Sequence, residues 1–235
     1  MEQPTLDSIW NIIGPAQHRT KAPYHRARTL YNACIDIINN NKDGVFCEYG
    51  VWRGGLIGIM GVLSEYENNN RKVWAFDSFQ GMSAPDPTKD LLDGETEAII
   101  CFTESVQLHN FNLNDFKETC FNMLKINADT INIIEGWAEN TLPAQVNNID
   151  SIAILRIDFD FYEPTKQVLE LYYSKVIIGG YIILDDYGCW KGARQAIDEF
   201  RAENNITTEL IQTPCDDYSP QPSMIVGTEF YWIKE

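Results

Sequence analysis

Four aspartates follow directly on short apolar runs, and that placement could do chemistry. Asp158 and Asp160 lie in Leu-Arg-Ile-Asp-Phe-Asp-Phe-Tyr-Glu-Pro at 155–164, and Asp185 and Asp186 close Gly-Gly-Tyr-Ile-Ile-Leu-Asp-Asp at 179–186. Runs such as Ile-Ala-Ile-Leu-Arg-Ile (152–157) and Tyr-Ile-Ile-Leu (181–184) read as buried parallel strands. In an open α/β sheet the carboxyl ends of such strands face the ligand crevice. Asp158 and Asp185 are 27 residues apart, which leaves room for one crossover helix between neighbouring strands. Carboxylates gathered at one place repel unless protons, donors or a cation offset the charge, and an all-oxygen donor set suits a hard divalent ion such as magnesium. The plain alternative is a set of solvated acids at loop starts; its repetition at two strand ends argues against it. Strand alternation points Asp158 and Asp160 to the same side, which leaves open whether Asp160 joins Asp158 at such an ion.

A second constellation lies upstream. The run 45–49 leads into Glu48-Tyr-Gly50-Val51-Trp-Arg53-Gly54-Gly55 and then into Leu-Ile-Gly-Ile-Met at 56–60, a strand-to-helix turn rich in glycine. Such a turn lets a ligand approach the backbone and offers free N–H groups at the helix start. The spacing is not Gly-x-Gly-x-x-Gly, and an acid at the strand end suits an ammonium group better than a pyrophosphate. Asp77 follows Glu48 by 29 residues, one strand-helix-strand interval, where it can accept from two ribose hydroxyls. A ligand with an amino-acid head and a ribose is S-adenosylmethionine. Either feature alone is also compatible with close packing of a turn.

The elements that must position these residues alternate along the chain. Residues 5–42 read as helices, with Thr5 or Asp7 capping the first and Ala27, Leu30, Tyr31, Cys34, Ile37 and Ile38 keeping a helical period in the second. Strands are expected at about 45–49, 72–77, 131–135, 152–158, 180–185, 206–212 and 224–233, with helices between the first six. The last two are joined without a helix and predict an antiparallel hairpin at one edge. The expectation is therefore one α/β domain over 1–235: an N-terminal helical cap (1–42), then a core (43–235) with a mostly parallel seven-stranded sheet and a lid-like insertion near 83–112.

With 34 acidic against 18 basic residues, a net charge of −16 disfavours nucleic acid as a partner. Six scattered cysteines and three histidines suggest neither a zinc site nor a redox dithiol, and read as packing thiols of a cytoplasmic protein. No apolar run approaches a membrane span, and the amino terminus lacks signal-peptide features. His18, His25 and His109 fall outside the acid cluster and are expected at the surface or in the lid. Tyr162, Tyr187 and Trp190 flank the acids, as pocket wall or as packing.

Five motifs in order give the chain a resemblance to a known family: Glu-x-Gly-Val-Trp-Arg-Gly-Gly (48–55), Phe-Asp-Ser-Phe-Gln-Gly-Met (76–82), Gly-Trp-Ala-Glu-Asn-Thr-Leu-Pro (136–143), Leu-Arg-Ile-Asp-Phe-Asp-Phe-Tyr-Glu-Pro-Thr (155–165) and Gly-Gly-Tyr-Ile-Ile-Leu-Asp-Asp-Tyr-Gly (179–188). Over roughly 20–233 it resembles the macrocin O-methyltransferases, which use S-adenosylmethionine and magnesium to methylate sugar hydroxyls. The resemblance implies a Rossmann-like class I methyltransferase fold. It implies that Glu48, Gly50, Val51, Arg53, Gly54 and Gly55 hold the methionine part of the cofactor. Asp77, Ser78, Phe79, Gln80 and Gly81 would hold the ribose and neighbouring adenosine, and Trp137 with Ala138 the adenine. Asp158, Asp185 and Asp186 would bind Mg2+, with Asp158 also touching the cofactor and accepting the proton. The acceptor would be a small molecule or glycan with adjacent hydroxyls: a glycan, a nucleotide sugar or a glycosylated natural product. A catechol-like phenol is the alternative acceptor. An NAD-dependent sugar dehydrogenase or epimerase is less favoured, because its Gly-x-Gly-x-x-Gly and Tyr-x-x-x-Lys are missing. Oligomeric state stays open, a homo-oligomer included.

Overall fold

The computed structural model describes residues 2–91, 111–215 and 229–235. Two helices come first, α1 (Leu6–Ile13) and α2 (Tyr24–Asn39), separated by a short 3-10 turn. The Thr5 side chain caps α1 by accepting from the Ser8 amide, and Asn40 closes α2. These two helices make up the expected N-terminal helical segment. The core then runs β1 (Val45–Tyr49), α3 (Gly55–Glu67), β2 (Val73–Asp77), α4 (Leu113–Lys117, continued by a π-helical turn to Met123), β3 (Ile131–Glu135), α5 (Ala138–Gln145), β4 (Ile152–Ile157), α6 (Tyr162–Tyr172), β5 (Val176–Leu184), α7 (Lys191–Glu203), β6 (Ile211–Gln212) and β7 (Phe230–Ile233).

The sheet order is β3-β2-β1-β4-β5-β7-β6, parallel from β3 through β5, with β7 antiparallel to both its neighbours. The expected closing pair is therefore present, but β7 slots in beside β5 and leaves β6 at the edge. Three boundaries differ from the expectation. β5 begins at Val176 instead of near 180, because its early residues pair back to β4 across a bulge. β6 keeps only Ile211–Gln212 of the expected 206–212. β7 starts at Phe230, and the expected strand residues 224–228 lie outside the described residues. Of the insertion, Ser83 to Leu91 is described and 92–110 is not.

Strands β1 and β4 are central and covered on both faces, which is why they are continuous apolar runs. Alternation splits them between two cores. Phe46, Ile154 and Ile183 pack with α1, α2 and α3; Cys47, Leu155, Ile157 and Trp232 pack with α6 and α7 residues such as Val168, Tyr172 and Phe200. The same alternation sends Glu48 and Arg156 towards the α1–α3 side. They are paired across the β1–β4 register, and Arg156 is in turn opposite Ile183 of β5. A charged residue therefore sits at the centre of the sheet.

From β1 the chain goes to β2 and β3 on one side, and later to β4 and β5 on the other. Strand order thus reverses between β1 and β4, where an open α/β sheet leaves its crevice. Trp232 is fully buried at the antiparallel edge, with its ring against Tyr173 and the Arg201 guanidinium 4.9 Å away. Trp232→Ala is expected to lower stability by about 3–5 kcal/mol, the usual cost of a large aromatic deletion from a packed core, and denaturant unfolding measures it.

Candidate functional site

The carboxyl ends of β1, β2, β4 and β5 open into one cavity of about 990 Å³. β1 leaves the sheet through Gly50, whose φ of +88° and whose 1.9 Å clearance between a built Cβ and the Asp158 carbonyl exclude any side chain. That close approach brings the β1 turn and the β4 end together, and the Asp158 amide donates to the Tyr49 carbonyl at 2.8 Å. Gly54, at φ +82°, is the N-cap of α3 and packs under Phe116 and Cys120.

Asp77, at the end of β2, ties the turn to the sheet. Its Oδ2 accepts from the Val51 and Trp52 amides, both at 2.9 Å, and its Oδ1 from the Phe79 amide at 2.7 Å. The carboxylate is buried yet still lines the cavity. Burial raises its proton affinity while these amide bonds pull it down.

The cavity wall gathers most of the residues singled out in the sequence: Glu48, Gly50, Val51, Gly55, Asp77, Ser78, Gly81, Trp137, Ala138, Asp158, Asp185 and Asp186. Arg53, Gly54, Phe79 and Gln80 are not in it. The Arg53 guanidinium lies 5.0 Å from the centroid of the Trp52 ring and donates to the His18 carbonyl at 3.2 Å. Phe79 is buried against Phe116, with a left-handed φ of 52°. Tyr162 and Trp190 line the cavity and Tyr187 does not. His18 is exposed as expected, His25 is buried in α2 instead of lying at the surface, and His109 is outside the described residues.

At the mouth of β4, the side-chain oxygens of Asp158, Asp160 and Asp186 lie within 4.8 Å of one another. Asp160 has φ 60°, rare for a residue with a Cβ, and its amide donates to Asp186 Oδ2 at 3.1 Å. Backbone strain of this kind is kept where the surroundings demand it. An all-carboxylate set in this spacing fits magnesium by the chemistry of its donors. Asp185 is placed differently from its neighbours. Arg156 Nη2 bonds its Oδ1 and Arg26 Nη1 its Oδ2, so both oxygens of this expected metal ligand already face arginines. Each oxygen keeps a further lone pair, and Asp185 still lines the cavity.

Two arginines that sequence reasoning did not single out therefore shape the site. Arg156 is fully buried, and its Nη1 donates to Glu48 Oε1 at 2.6 Å and to Asp158 Oδ2 at 2.8 Å. A signal was available: an arginine inside Ile-Leu-Arg-Ile must be paired if that strand is buried. Arg26 comes from α2, and nothing in a helical period marks it as reaching a strand end 159 residues away.

Electrostatics follow from burial and an excess of acid. Burial pushes Glu48 up to about 8 even against Arg156. Burial, with Asp185 as a like-charged neighbour, pushes Asp158 up to about 6; burial with Asp158 and Asp185 pushes Asp160 up to about 7. Asp186 is raised well above the carboxylate range, first by burial and then by Asp160 and Asp158. Burial would raise Asp185 as well, but Arg26 and Arg156 outweigh it and hold it low. Glu229, at the start of β7, rises to about 7 through burial.

A model of the macrocin-O-methyltransferase (TylF) family matches residues 12–217. The chain belongs to this family. Demethyldecarbamoylnovobiocin O-methyltransferase of Streptomyces niveus is 34% identical over 205 residues, 84% of this chain and 73% of that protein. A tetracenomycin 4'-O-methyltransferase of Streptomyces olivaceus, whose name specifies a dimethoxy-rhamnosyl substrate, is 28% identical over 225 residues, 93% of this chain and 76% of that protein. The solved structure of the O-methyltransferase NovP superposes with a TM-score of 0.78 over 97% of each chain at 26% identity. The seven-stranded sheet is that of a class I methyltransferase, and this macrocin-type chain is an O-methyltransferase. No helix among the described residues is long and apolar enough to cross a membrane.

In the absence of ligands, the raised carboxyls make stability depend on pH. Glu48, Asp160 and Glu229 bind protons more tightly folded than unfolded, so their contribution is present in full below about pH 4 and is lost as pH rises through their folded values of about 7 to 8. The melting temperature of the ligand-free protein is therefore expected to fall between pH 5 and pH 8, as read by calorimetric scans across that range.

Proposed function

We propose that this protein transfers the methyl group of S-adenosylmethionine to a hydroxyl of a sugar, on an acceptor carrying adjacent hydroxyls, with magnesium at the strand-end aspartates. The observation that carries the reading is the convergence, in one cavity, of the Glu48–Gly55 turn, Asp77, Trp137 and four aspartates. The rhamnosyl substrate named for the Streptomyces olivaceus relative supports a sugar acceptor.

The donor lies across the β1 turn. Glu48 Oε2 is buried without a hydrogen-bond partner, which suits the donor's ammonium group. Asp77, held by three amides, presents the edge of its carboxylate to the ribose hydroxyls, Ser78 and Gly81 continue that wall, and Trp137 with Ala138 borders the adenine. Arg53, Gly54, Phe79 and Gln80 act from behind the wall, by fixing the turn that carries those contacts.

Asp158, Asp185 and Asp186 are the ligands we assign to Mg2+, and the clustering of Asp160 with two of them supports adding it to the set. Bound there, the cation would lower the pKa of a chelated hydroxyl and fix its oxygen in line with the donor methyl. The proton leaves within the Asp158–Asp160 pair. Asp158 is the carboxyl we assign as the proton acceptor, with Asp160 beside it in the cluster. Trp190 and Phe161, packed edge to face at 5.3 Å, wall the acceptor side and exclude water. The free, buried thiols Cys34, Cys47 and Cys120 support a reducing, cytoplasmic setting.

Incubation with deuterated methyl donor and a panel of rhamnosides, nucleotide sugars and catechol, read by mass spectrometry, is expected to label a sugar hydroxyl. Excess chelator, Asp158→Asn and Asp186→Asn should each lower the rate by about 100-fold or more. Full activity under chelation removes the metal reading; a labelled catechol with unlabelled sugars removes the acceptor reading. Asp77→Ala is expected to weaken S-adenosylhomocysteine binding, and unchanged affinity by calorimetry contradicts its donor-side role.

A further inference from the structure

We propose that Arg156 is the positioning residue that sets the donor half of the site against the acceptor half. The inference rests on the reading above, in which Glu48 faces the donor ammonium and the aspartates face the cation. A single guanidinium reaches both. Nη1 holds Glu48 Oε1 at 2.6 Å and Asp158 Oδ2 at 2.8 Å, and Nη2 holds Asp185 Oδ1 while standing 3.6 Å from Glu229 Oε2. These acids come from β1, β4, β5 and the start of β7, so four segments of the sheet converge on one planar group.

Arg156 touches neither reactant in this scheme. It is fully buried beneath the cavity floor, absent from the cavity wall that Glu48, Asp158 and Asp185 line. Its rigidity is what matters: the fork of a guanidinium fixes angles as well as distances, whereas an ammonium is a point charge that cannot hold three carboxylates in set directions. In-line transfer needs the donor sulfonium and the acceptor oxygen at one separation, and small misplacements cost rate steeply. Glu48 locates the first and Asp158 with Asp185 the second. The separation between those carboxylates is the span of one arginine side-chain head, independent of the loops around the cavity. Arg26 braces the arrangement from α2 through the other oxygen of Asp185.

The test is calorimetry of S-adenosylhomocysteine binding, and of Mg2+ binding to the S-adenosylhomocysteine complex, in the parent, Arg156→Lys and Asp185→Asn. Arg156→Lys keeps the charge and loses the fork, and both affinities are expected to fall about tenfold or more per folded protein, the scale typical of losing a partner that orients ligand groups. Asp185→Asn is nearly isosteric and guards against a lysine variant that fails to fold. It is expected to weaken S-adenosylhomocysteine by roughly threefold or more, although Asp185 lies two strands from Glu48, because it releases one prong of the shared fork. A folded Arg156→Lys protein with parental affinity for both ligands overturns the proposal, since a merely structural arginine changes the melting temperature and leaves these affinities alone. Parental S-adenosylhomocysteine affinity in Asp185→Asn overturns it too. A parent protein that binds neither ligand removes the reading of the site itself, and this role with it.

Discussion

The structure depends on a positive charge buried in the middle of a parallel sheet. Arg156 has no exposed surface, and a guanidinium in such a place is tolerated only if its donors are met by acids with good geometry. Breaking one side of a buried pair of this kind typically costs about 3–5 kcal/mol. The requirement reaches across the fold: β1 must present Glu48, β5 must end in Asp185, and the start of β7 must bring Glu229 alongside. Glu229 is secured by the Thr213 hydroxyl, which donates to its Oε1 at 2.8 Å. The antiparallel edge, which otherwise looks like an appendage to the parallel sheet, is thus tied to the same charge as the strand ends that form the cavity.

Acids nevertheless outnumber arginines here. Glu48, Asp158, Asp160, Asp185, Asp186 and Glu229 surround two guanidiniums, and burial, with the like charges behind it, raises the proton affinity of every acid in the group except Asp185. Asp185 alone is held low, because both arginines donate hydrogen bonds to it. A cavity in this state attracts cations, whether a proton, an ammonium group or a divalent metal. In the proposed complex, the donor ammonium group and the metal would both be drawn by this surplus, to opposite ends of the Arg156 fork.

The N-terminal helices do more than cover the sheet. α2 buries an apolar stripe of Ala27, Leu30, Cys34 and Ile37 against the core, and the same docking delivers Arg26 to Asp185. The start of the insertion is fixed in a comparable way. Asp90 accepts from the Tyr162 amide at 2.8 Å at the first turn of α6, and the Leu91 carbonyl accepts from Lys191 at 2.8 Å at the start of α7. Lys89 thereby lies 3.6 Å from the centroid of the Tyr162 ring, in the cavity wall.

Local rules were enough for much of this. Continuous apolar runs located β1 to β4 within a residue or two, glycine and acid spacing singled out the Glu48 to Gly55 turn and Asp77, and the strand-end aspartates were visible as a set. Those are properties of neighbouring residues, and neighbouring residues are what a sequence lists. The cavity wall was less legible: Arg53, Gly54, Phe79 and Gln80 belong to the right motifs, but Gly54 packs under Phe116 and Cys120 and Phe79 is buried against Phe116, away from the opening. Which carboxylates meet one another was decided only in three dimensions. The left-handed backbone at Asp160 carries it to Asp158 and Asp186, while Arg26 and Arg156 claim Asp185, and β7 inserts between β5 and β6 to bring in Glu229. Pairings across 108 or 159 residues leave no periodic trace, because they are set by how helices and strands dock, and docking minimises buried charge over the whole fold at once.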